Sequence, residues 1–412
     1  MKKKIGVIGL GYVGLPLAVA LSKKFLVIGY DKNGERIKKL KRGIDKNGEA
    51  NSKYLRNSKL FFISDHKKLD EVKVFIICVP TPIKNKKPDL KFLIEATKLV
   101  ATKLKTGDIV IYESTVYPGT TEEICRPILE KISSLNVNKD FFLGYSPERI
   151  NPGLNTKKIQ DIKKIISGSS VTAVKEIKKI YHPIIKAGLY VANSIKVAES
   201  AKIIENTQRD LNIALMNEFS KILNNLNINT NEVLEAANTK WNFNNYTPGL
   251  VGGHCIGVDP YYLAYKAKKI GINPKVILSG RSVNDGMHNY VFKKINELKK
   301  IKKIAFLGVT FKEDCKDFRN SMPVKLLKKL TKKKFKIDVF DPIVNINDIK
   351  NFEKINIKKK LKKRYYDLVI VVVPHKKIIQ LGGNWIKNLL NRKGIIFDLK
   401  GKFSSLKSQF SL

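Results

Sequence analysis

The chain has 412 residues and is strongly basic, with 79 lysine and arginine residues against 36 acidic ones and a formal net charge of +43. This length exceeds the size at which one hydrophobic core stops growing, so two or three domains are expected. A positive surface could serve nucleic acid, an anionic membrane or a phosphorylated substrate. The lysines, however, are scattered along the whole chain, and no recognisable nucleic-acid module accompanies them. We therefore predict a lysine-rich solvated surface and no nucleic-acid partner.

The first 31 residues contain a strand, a glycine-rich turn, a helix and a second strand in succession. An apolar strand at residues 3–8 leads into Gly9-Leu10-Gly11-Tyr12-Val13-Gly14, a helix is predicted at residues 15–24, and an apolar strand at residues 25–30 ends on Asp31. In such a unit the glycines allow a tight turn, approach of a pyrophosphate and packing of helix on strand, while the acid takes a ribose hydroxyl. The pattern predicts a dinucleotide site. Asp31 favours NAD over NADP because a carboxylate repels a 2′-phosphate.

Residues 1–22 also have some features of a secretory leader, with lysines before an apolar run. Three glycines and Pro16 interrupt that run, and its removal would delete the first strand of the dinucleotide unit. No other stretch reaches the roughly 18 to 20 uninterrupted apolar residues that cross a bilayer. The four cysteines have neither paired nor metal-ligand spacing, which fits a reducing compartment. We expect a cytoplasmic protein without membrane insertion and without a bound metal.

Further strands are predicted at residues 72–79, 109–113 and 141–144, and each is followed by a polar loop. The loops are Pro80-Thr81-Pro82, residues 114–121, and Tyr145-Ser146-Pro147-Glu148-Arg149. In an open α/β sheet, ligands lie beyond the carboxyl ends of the strands, so these loops are predicted to border the nicotinamide. Ordinary turn chemistry explains most of these residues, but we expect functional roles for Thr115 and Glu148.

A long helix is predicted at residues 193–224, followed by helices at residues 230–238 and 259–270. Lys202 and Asn206 are four residues apart and therefore share one helix face. Both side chains can hydrogen-bond one substrate oxygen, which suits a site where negative charge develops on that oxygen. The alternative is an ordinary solvated helix face.

Cys255 lies in a glycine-rich loop, Gly252-Gly253-His254-Cys255-Ile256-Gly257, between two of these helices. A cysteine thiol can add to an aldehyde and form a thiohemiacetal, which an oxidised nicotinamide can convert to a thioester. The alternative is a buried cysteine that acts as a small apolar side chain. The dinucleotide site at the N-terminus favours the nucleophile.

A second dinucleotide-fold-like unit is predicted from residue 302 onward. Its strands are expected at residues 303–307, 335–340, 367–373 and 394–399, with a helix at 323–330 between the first two. The loop at residues 308–321 is rich in donors but lacks the G-x-G-x-x-G pattern, so a different nucleotide is expected there. Lys312 and Arg319 are available to phosphate or carboxylate groups. The fold class is therefore α/β, with two Rossmann-like, doubly wound parallel-sheet domains joined by a central helical domain that contains a long helix.

Together these motifs resemble the UDP-glucose/GDP-mannose dehydrogenase family of nucleotide-sugar 6-dehydrogenases over nearly the whole chain. Besides the N-terminal glycine motif, they are Val79-Pro80-Thr81-Pro82, residues 113–120, Ser146-Pro147-Glu148-Arg149, Lys202 with Asn206, Gly252-Gly253-His254-Cys255, and Phe311-Lys312 with Asp314, Asp317, Arg319 and Ser321. Residues 205–210 and 248–262 look most like the branch acting on UDP-N-acetylhexosamines in surface polysaccharide synthesis.

The resemblance implies a two-step, four-electron oxidation of the sugar C6 alcohol to a carboxylate, with two NAD and one water. Lys202 and Asn206 are expected to stabilise the C6 oxyanion, and Cys255 to add to the aldehyde. Hydrolysis of the thioester would follow, with Asp259 orienting or activating water. Thr115 and Glu148 would position water and substrate.

The resemblance also implies three domains and a homodimer that forms through the central helix. The domains are residues 1–190 for NAD, residues 191–300 for dimerisation and catalysis, and residues 301–412 for the UDP-sugar. The expected NAD-binding residues are Gly9, Gly11, Tyr12, Val13, Gly14, Asp31, Pro80, Thr81 and Thr115. The expected substrate-binding residues are Glu148, Arg149, Lys202, Asn206, Gly252, Lys312 and Arg319.

Other functions remain open at this point. A UDP-glucose 6-dehydrogenase would carry the same motifs. A single-step hydroxyacid dehydrogenase would need neither Cys255 nor the second nucleotide unit. A nucleic-acid-binding protein would explain the charge but not the ordered motifs, and a catalytically silent scaffold would be expected to have lost one of the four residues Lys202, Asn206, Cys255 and Asp259.

Overall fold

The computed structural model describes residues 3–45, 47–150, 158–333, 335–353, 355–403, 406 and 408–412. The chain forms two compact units. The first comprises Met1–Glu205 and Tyr261–Asn273, and the second comprises Asn206–Pro260 and Pro274–Leu412. This two-unit division is coarser than the three domains expected from the sequence, whose junctions near residues 190 and 300 remain predictions.

The first unit alternates short strands with helices. Its strands are β1 (Lys4–Ile8), β2 (Leu26–Tyr30), β3 (Leu60–Ile63), β4 (Val74–Ile77), β5 (Ile83–Lys84), β6 (Lys87–Pro88), β7 (Ile109–Tyr112), β8 (Phe142–Tyr145), β9 (Lys164–Gly168) and β10 (Leu189–Val191). Its helices are α1 (Gly14–Ser22), α2 (Gly34–Lys41), α3 (Ser52–Leu55), α4 (Lys91–Ala101), α5 (Arg126–Ser133) and α6 (Val171–Tyr181). Among the described residues, β5 and β6 form a separate short hairpin and the other eight strands form one sheet.

The eight strands are ordered β10-β9-β8-β7-β4-β1-β2-β3. The strands from β3 to β8 are parallel, and Ile5 of β1 lies between Val27 of β2 and Val74 of β4. The last part of the sheet departs from this parallel order. Strand β9 runs antiparallel to β8, and β10 is parallel to β9. An antiparallel neighbour needs no helical crossover between the two strands.

The strands of the first sheet are apolar and β-branched because both faces of the sheet are covered. In β4 and β7 every residue is buried. One core cluster contains Val7, Val74 and Ile109, and a second contains Phe75 and Val110 from the alternate positions. Burial on both faces is what favours a continuous apolar run over an alternating one.

The second unit contains a smaller parallel sheet and most of the central helices. Its own elements are α8 (Thr230–Ala237), α10 (Lys275–Glu297), β11 (Lys303–Leu307), α11 (Met322–Thr331), β12 (Lys336–Phe340), α12 (Ile346–Glu353), β13 (Tyr366–Val371), α13 (Lys376–Leu389) and β14 (Leu390–Asp398). Two helices contribute residues to both units, namely α7 (Ile195–Asn225) and α9 (Asp259–Lys269).

The four strands of the second sheet are ordered β12-β11-β13-β14, and all neighbours are parallel. Apolar clusters cover both faces, with Phe306 on one side and Leu307 on the other. This arrangement confirms the prediction of two dinucleotide-type sheets with a helical region between them in the sequence.

The predicted helices and strands lie within a few residues of the observed ones. The 23-residue helix α10 was absent from the prediction, because its sequence contains Gly280 and Gly286 and has no side-chain cap at its start. Within the described part of the chain, no helix has the length and apolar character needed to cross a membrane.

Candidate active site

The glycine-rich turn of the first unit holds a carboxylate at the end of β2. The Leu10 N–H donates to Asp31 Oδ2 over 3.0 Å, and the Asn33 N–H donates to Asp31 Oδ1 over 2.9 Å. Gly9 has φ +93°, a conformation that glycine adopts without strain. The predicted acid is therefore fixed beside the turn that precedes α1.

The glycines of this turn allow a test of whether a dinucleotide fits. A Cβ at Gly14 would lie 1.9 Å from the Gly9 carbonyl oxygen, so Gly14 is required for helix packing. A Cβ at Gly11 would meet no atom within 4 Å. Gly11 therefore faces open space, as expected where a pyrophosphate approaches the backbone. Tyr12 and Val13 form the turn into α1, whose first backbone N–H groups suit phosphate oxygens.

Arg36 was not identified from the sequence but belongs to the same site. Its Nε donates to the Leu10 carbonyl over 2.8 Å, and Nη1 donates to Asp45 Oδ1 over 3.0 Å. Nη2 is buried and has no hydrogen-bond partner among the described residues. The signal available in the sequence was an arginine five residues after the acid at the end of the second strand.

The loops after β4 and β7 meet, as predicted. The Thr81 hydroxyl donates to the Thr115 carbonyl over 2.6 Å, and the Tyr262 hydroxyl donates to the Thr81 carbonyl over 2.8 Å. Thr115 is half-buried, and Pro80 next to Thr81 is exposed. The structure therefore brings Pro80, Thr81 and Thr115 together at one edge of the sheet. The Thr81 hydroxyl joins the loop after β4 to the loop after β7.

Glu148 lies beyond the end of β8 and is almost completely buried, with 7% of its surface exposed. Its Oε1 accepts the backbone N–H groups of Arg149 and Ile150 over 2.6 and 2.7 Å. The guanidinium of Arg149 makes an ion pair with both oxygens of Glu205. Arg149 thus ties the loop after β8 to α7, and its predicted contact with substrate remains a prediction.

The second unit brings three of the predicted catalytic residues into one arrangement. The Cys255 carbonyl accepts the N–H of Asp259 over 2.9 Å at the start of α9, while the Cys255 side chain is exposed. Asp259 is 2% exposed, and its Oδ2 accepts a hydrogen bond from Asn206 Nδ2 over 2.5 Å. Lys202 precedes Asn206 by one turn of α7 and is 8% exposed.

The Cys255 loop is held against the loop at residues 308–321 of the same unit. Gly253 and Asn320 exchange two hydrogen bonds, at 3.1 and 2.8 Å. A Cβ at Gly252 would lie 2.6 Å from the Asn320 carbonyl oxygen, and a Cβ at Gly253 would lie 2.6 Å from the Phe311 ring. The two glycines are therefore required by close approach, and Gly252 has a structural reason beside its predicted substrate role.

Next to Cys255, His254 and Arg319 share one carboxylate. His254 Nε2 lies 2.9 Å from Asp317 Oδ2, and Arg319 donates to both oxygens of Asp317 over 3.0 and 2.7 Å. Burial opposes ionisation of Asp317, but the hydrogen bonds from His254 and Arg319 outweigh burial and hold its pKa well below the usual range. Arg319 is itself exposed, so its guanidinium is accessible to a ligand.

Lys312 is half-buried in the same loop. Burial lowers its pKa, and the charge of Arg209 adds to this effect, while Cys315, Glu313 and Cys255 oppose it. The two cationic side chains, Lys312 and Arg209, together suit an anionic ligand.

In the second unit an aspartate also follows the second strand of the sheet, but its hydrogen-bond partners differ from those of Asp31. The Val309 N–H donates to Asp341 Oδ2 over 2.8 Å, as Leu10 does to Asp31. His375 Nε2 also lies 3.2 Å from Asp341 Oδ2, and its Nδ1 accepts the Asp314 N–H. Asp341 therefore has a buried histidine as an additional partner.

Taken together, the second unit presents an exposed thiol, a buried carboxylate with an amide donor, and cations on a neighbouring loop. Such a set can carry a covalent acyl intermediate and activate water for its hydrolysis. The first unit presents a dinucleotide site.

Three models of protein families match successive parts of the chain. They describe the NAD binding domain (residues 3–185), the central domain (residues 196–286) and the UDP binding domain (residues 305–405) of the UDP-glucose/GDP-mannose dehydrogenase family.

Individual relatives match over almost their full length. The chain is 50% identical over 407 residues to a UDP-N-acetyl-D-glucosamine 6-dehydrogenase of Salmonella typhi, with 96% of each chain covered. It is 47% identical over 418 residues to an enzyme of the same name from Pseudomonas aeruginosa, with 99% of each covered. Among solved structures, the UDP-D-ManNAc dehydrogenase of Pyrococcus horikoshii superimposes with a TM-score of 0.88 at 31% identity, covering 99% of this chain and 98% of that one.

Proposed function

The chain belongs to the UDP-glucose/GDP-mannose dehydrogenase family and is an NAD-dependent oxidoreductase acting on a UDP-sugar, and we propose that its substrate is a UDP-N-acetylhexosamine. UDP-N-acetylglucosamine is the first choice, because the two relatives at 47 and 50% identity are named for it. UDP-N-acetylgalactosamine and UDP-glucose are the alternatives that the experiment below distinguishes. The product would be the corresponding uronic acid, for surface polysaccharide synthesis.

The observation that carries this proposal is the arrangement of Cys255, Asp259 and Asn206 in the second unit. A dehydrogenase that stops at the aldehyde or ketone needs no nucleophile. Here an exposed thiol lies four residues before a buried carboxylate, which an amide from α7 holds in place. This arrangement supports oxidation to the acid through a covalent intermediate on Cys255.

When bound, oxidised NAD accepts one hydride in each of the two oxidations. The residues proposed to hold it are the glycine turn and Asp31, with Pro80, Thr81 and Thr115 at the nicotinamide end. The open space at Gly11 and the fixed carboxylate of Asp31 support this assignment.

The protein residues would divide the remaining chemistry between them. Lys202 and Asn206 stabilise negative charge on the C6 oxygen during the first oxidation. The Cys255 thiol then adds to the aldehyde carbon and gives a thiohemiacetal, whose oxidation leaves a thioester. Asp259 accepts a proton from water as that water attacks the thioester carbon, and the carboxylate product leaves with return of the thiol.

Thr115 and Glu148 would position water and substrate in this scheme, and Lys312 and Arg319 would hold the diphosphate. The exposed guanidinium of Arg319 and the half-buried Lys312 on the same loop support an anion site there. Arg149 and Gly252 remain proposed substrate contacts.

The proposal is tested by counting NADH formed per sugar consumed with UDP-N-acetylglucosamine, UDP-N-acetylgalactosamine and UDP-glucose, for the unsubstituted protein and for Cys255→Ala. Two NADH per sugar, lost in the variant, would support the thioester route and identify the sugar. One NADH per sugar, or turnover that is independent of Cys255, would contradict it and favour a single-step dehydrogenase.

We also propose a homodimer formed through α7. Leu215, Phe219 and Ile222 lie on one face of this helix and are 48, 39 and 51% exposed, and this spacing makes a continuous apolar stripe. An exposed apolar stripe of this kind marks an interaction surface. Phe219→Lys should reduce the mass in light scattering to that of one chain, whereas Lys268→Glu on α9 should not. A single-chain mass for the unsubstituted protein would contradict the proposal.

A cytoplasmic location is likewise proposed. The four cysteines, all at described positions, form no disulfide, which is the state expected in a reducing compartment. Recovery of activity in a periplasmic fraction of intact cells would contradict it.

A further inference from the structure

A buried ion network lies beneath the loop that carries Glu148. Lys164, the first residue of β9, is 3% exposed, and Glu113, directly after β7, is 1% exposed. Lys164 Nζ lies 2.9 Å from Glu113 Oε2. The hydroxyl of Tyr181, at the end of α6, donates to the other oxygen of Glu113. The first unit therefore buries a lysine and a glutamate that none of the catalytic steps above uses.

The three hydrogens of the Lys164 ammonium have three acceptors, and two of these belong to the Glu148 loop. They are Glu113 Oε2 at 2.9 Å, the Pro147 carbonyl at 3.2 Å and Glu148 Oε2 at 3.4 Å. An ammonium group has three donors and no acceptor, so its capacity is filled. A lysine that only neutralised Glu113 would have no reason to contact two consecutive residues of the next loop.

The Glu148 carboxylate is held at both oxygens. Oε1 accepts the N–H groups of Arg149 and Ile150, and Oε2 faces Lys164. The backbone contacts fix only one of the two oxygens. With Lys164 on the other oxygen, the plane of the carboxylate is defined.

The charges of the cluster explain why Glu113 is present. Burial alone lowers the pKa of Lys164, but the carboxylates of Glu113 and Glu148 outweigh it, so the pKa is raised and the ammonium stays charged. Burial raises the pKa of Cys78, the other ionisable group nearby, well above its usual value, so it remains a neutral thiol. Glu113, fixed by Tyr181, thus acts as the counter-ion that lets a charged lysine reside under Glu148.

We propose that Lys164 is a positioning residue that orients the Glu148 carboxylate for its role in the water-dependent half of the reaction, with Glu113 and Tyr181 holding Lys164 in place. The inference rests on the proposed function, since it assigns Glu148 to the hydrolysis of the Cys255 thioester. Lys164 itself touches neither substrate nor cofactor in this assignment.

The main variant of the test is chosen so that the net charge of the buried cluster does not change. Lys164→Met alone would leave two buried carboxylates without a cation, which is expected to impair folding. The double variant Lys164→Met/Glu113→Gln removes the ion pair and leaves the cluster with the same net charge as before. Glu113→Gln alone removes the counter-ion and is made for comparison, and Lys164→Arg, which keeps a cation under Glu148, is the matched control.

The measurement is rapid mixing of each protein with NAD and the UDP-sugar, with NADH followed by absorbance and the covalent state of Cys255 by intact mass. We expect the double variant to form its first NADH as the unsubstituted protein does. Its kcat should fall by about 10- to 100-fold and KM for the UDP-sugar should fall with it, because slower hydrolysis of an accumulating acyl-enzyme leaves kcat/KM unchanged. An acyl adduct should accumulate on Cys255. Lys164→Arg should retain most of the kcat, and the kcat of Glu113→Gln should lie between that of Lys164→Arg and that of the double variant.

The inference is overturned if the double variant has the kcat of Lys164→Arg, or if kcat falls together with the rate of the first NADH and no acyl adduct forms. These results would leave Lys164 with a purely structural role. If the unsubstituted protein forms no NADH from any of the three UDP-sugars, the proposed function fails, and the inference fails with it. If that protein turns over and the double variant does so equally, only the inference fails.

Discussion

His254 Nε2 lies 2.9 Å from Oδ2 of Asp317, so the residue that precedes the nucleophile is bound to the carboxylate that also holds Arg319. The same side chain of Asp317 therefore connects the Cys255 loop to a cation proposed to bind the diphosphate. A ligand that draws Arg319 away from Asp317 would leave His254 as the remaining side-chain partner of that carboxylate. The Cys255 loop and the proposed anion site thus share one buried carboxylate.

Replacing His254 should loosen the Cys255 loop. In His254→Phe the hydrogen bond to Asp317 is lost, at an expected cost of about 1–3 kcal/mol for a buried carboxylate left with fewer partners. We expect a lower kcat and faster alkylation of Cys255 by iodoacetamide, followed by mass spectrometry. His66→Phe, at an exposed histidine far along the sequence, is the control. Equal alkylation rates in both variants would show that the hydrogen bond does not restrain the loop.

Asp259→Asn should separate the oxidations from the hydrolysis. The substitution removes the proposed proton acceptor but keeps the size of a side chain that Asn206 contacts. General base catalysis contributes typically about 10²- to 10⁴-fold, so we expect kcat to fall by that range while the first NADH still forms. Intact mass should detect an acyl adduct on Cys255. Loss of the first NADH together with the second would contradict the assignment.

The glycine turn offers a pair of matched substitutions. Gly11→Ala places its Cβ in open space, so the fold should be unaffected while NAD binding weakens by about tenfold, or ~1.4 kcal/mol. Gly14→Ala forces its Cβ against the Gly9 carbonyl and should destabilise the protein by about 1–3 kcal/mol. Thermal unfolding and NAD titration of each variant distinguish the two effects. An unchanged NAD affinity in Gly11→Ala would argue against a pyrophosphate at that position.

Glu199 should make stability depend on pH near neutrality. It is fully buried on α7, its carboxylate accepts the N–H groups of Gly119 and Thr121, and burial raises its pKa from 4.5 to about 7. Since the folded pKa is the higher one, the folded state binds the proton more tightly. The resulting stabilisation is complete below pH 4.5 and is lost as the pH rises through 7.

The corresponding test compares the unsubstituted protein with Glu199→Gln, which does not titrate. From about pH 5 to about pH 8 the free energy of unfolding of the unsubstituted protein should fall relative to the variant, by on the order of 3 kcal/mol. Urea unfolding at several pH values measures this difference. Glu235→Gln, at an exposed position of α8, is the control and should produce no such trend. A constant difference across the pH range would refute the raised pKa.

The sequence predicted those parts of the site that depend on local patterns. The glycine turn, Asp31 and the Cys255 loop lie in short motifs whose geometry is fixed by neighbouring residues, and the structure has Asp31 beside the turn as predicted. The hydrogen bond between Asn206 and Asp259 could not be predicted, because it depends on how α7 and the start of α9 pack over a separation of 53 residues.

Lys164 was missed for a different reason. It is one of 79 basic residues and follows Lys163, so its sequence context resembles the many solvated lysine pairs of this chain. Lys163 is exposed, whereas Lys164 begins β9 and is buried with the next three residues of that strand, but the start of β9 was not predicted. For Arg149 the motif indicated a contact with a ligand, and the structure shows an ion pair between its guanidinium and Glu205.

The division of the chain into two interleaved units has a consequence for its biosynthesis. The first unit is completed only by Tyr261–Asn273, where Tyr262 is fully buried and donates to Thr81, and where Tyr265 packs on Tyr117 with ring centroids 5.4 Å apart. A nascent chain that has emerged only as far as Glu205 therefore lacks part of its own interior. We therefore expect the folding of the first unit to be completed only after the Cys255 loop and helix α9 have been translated.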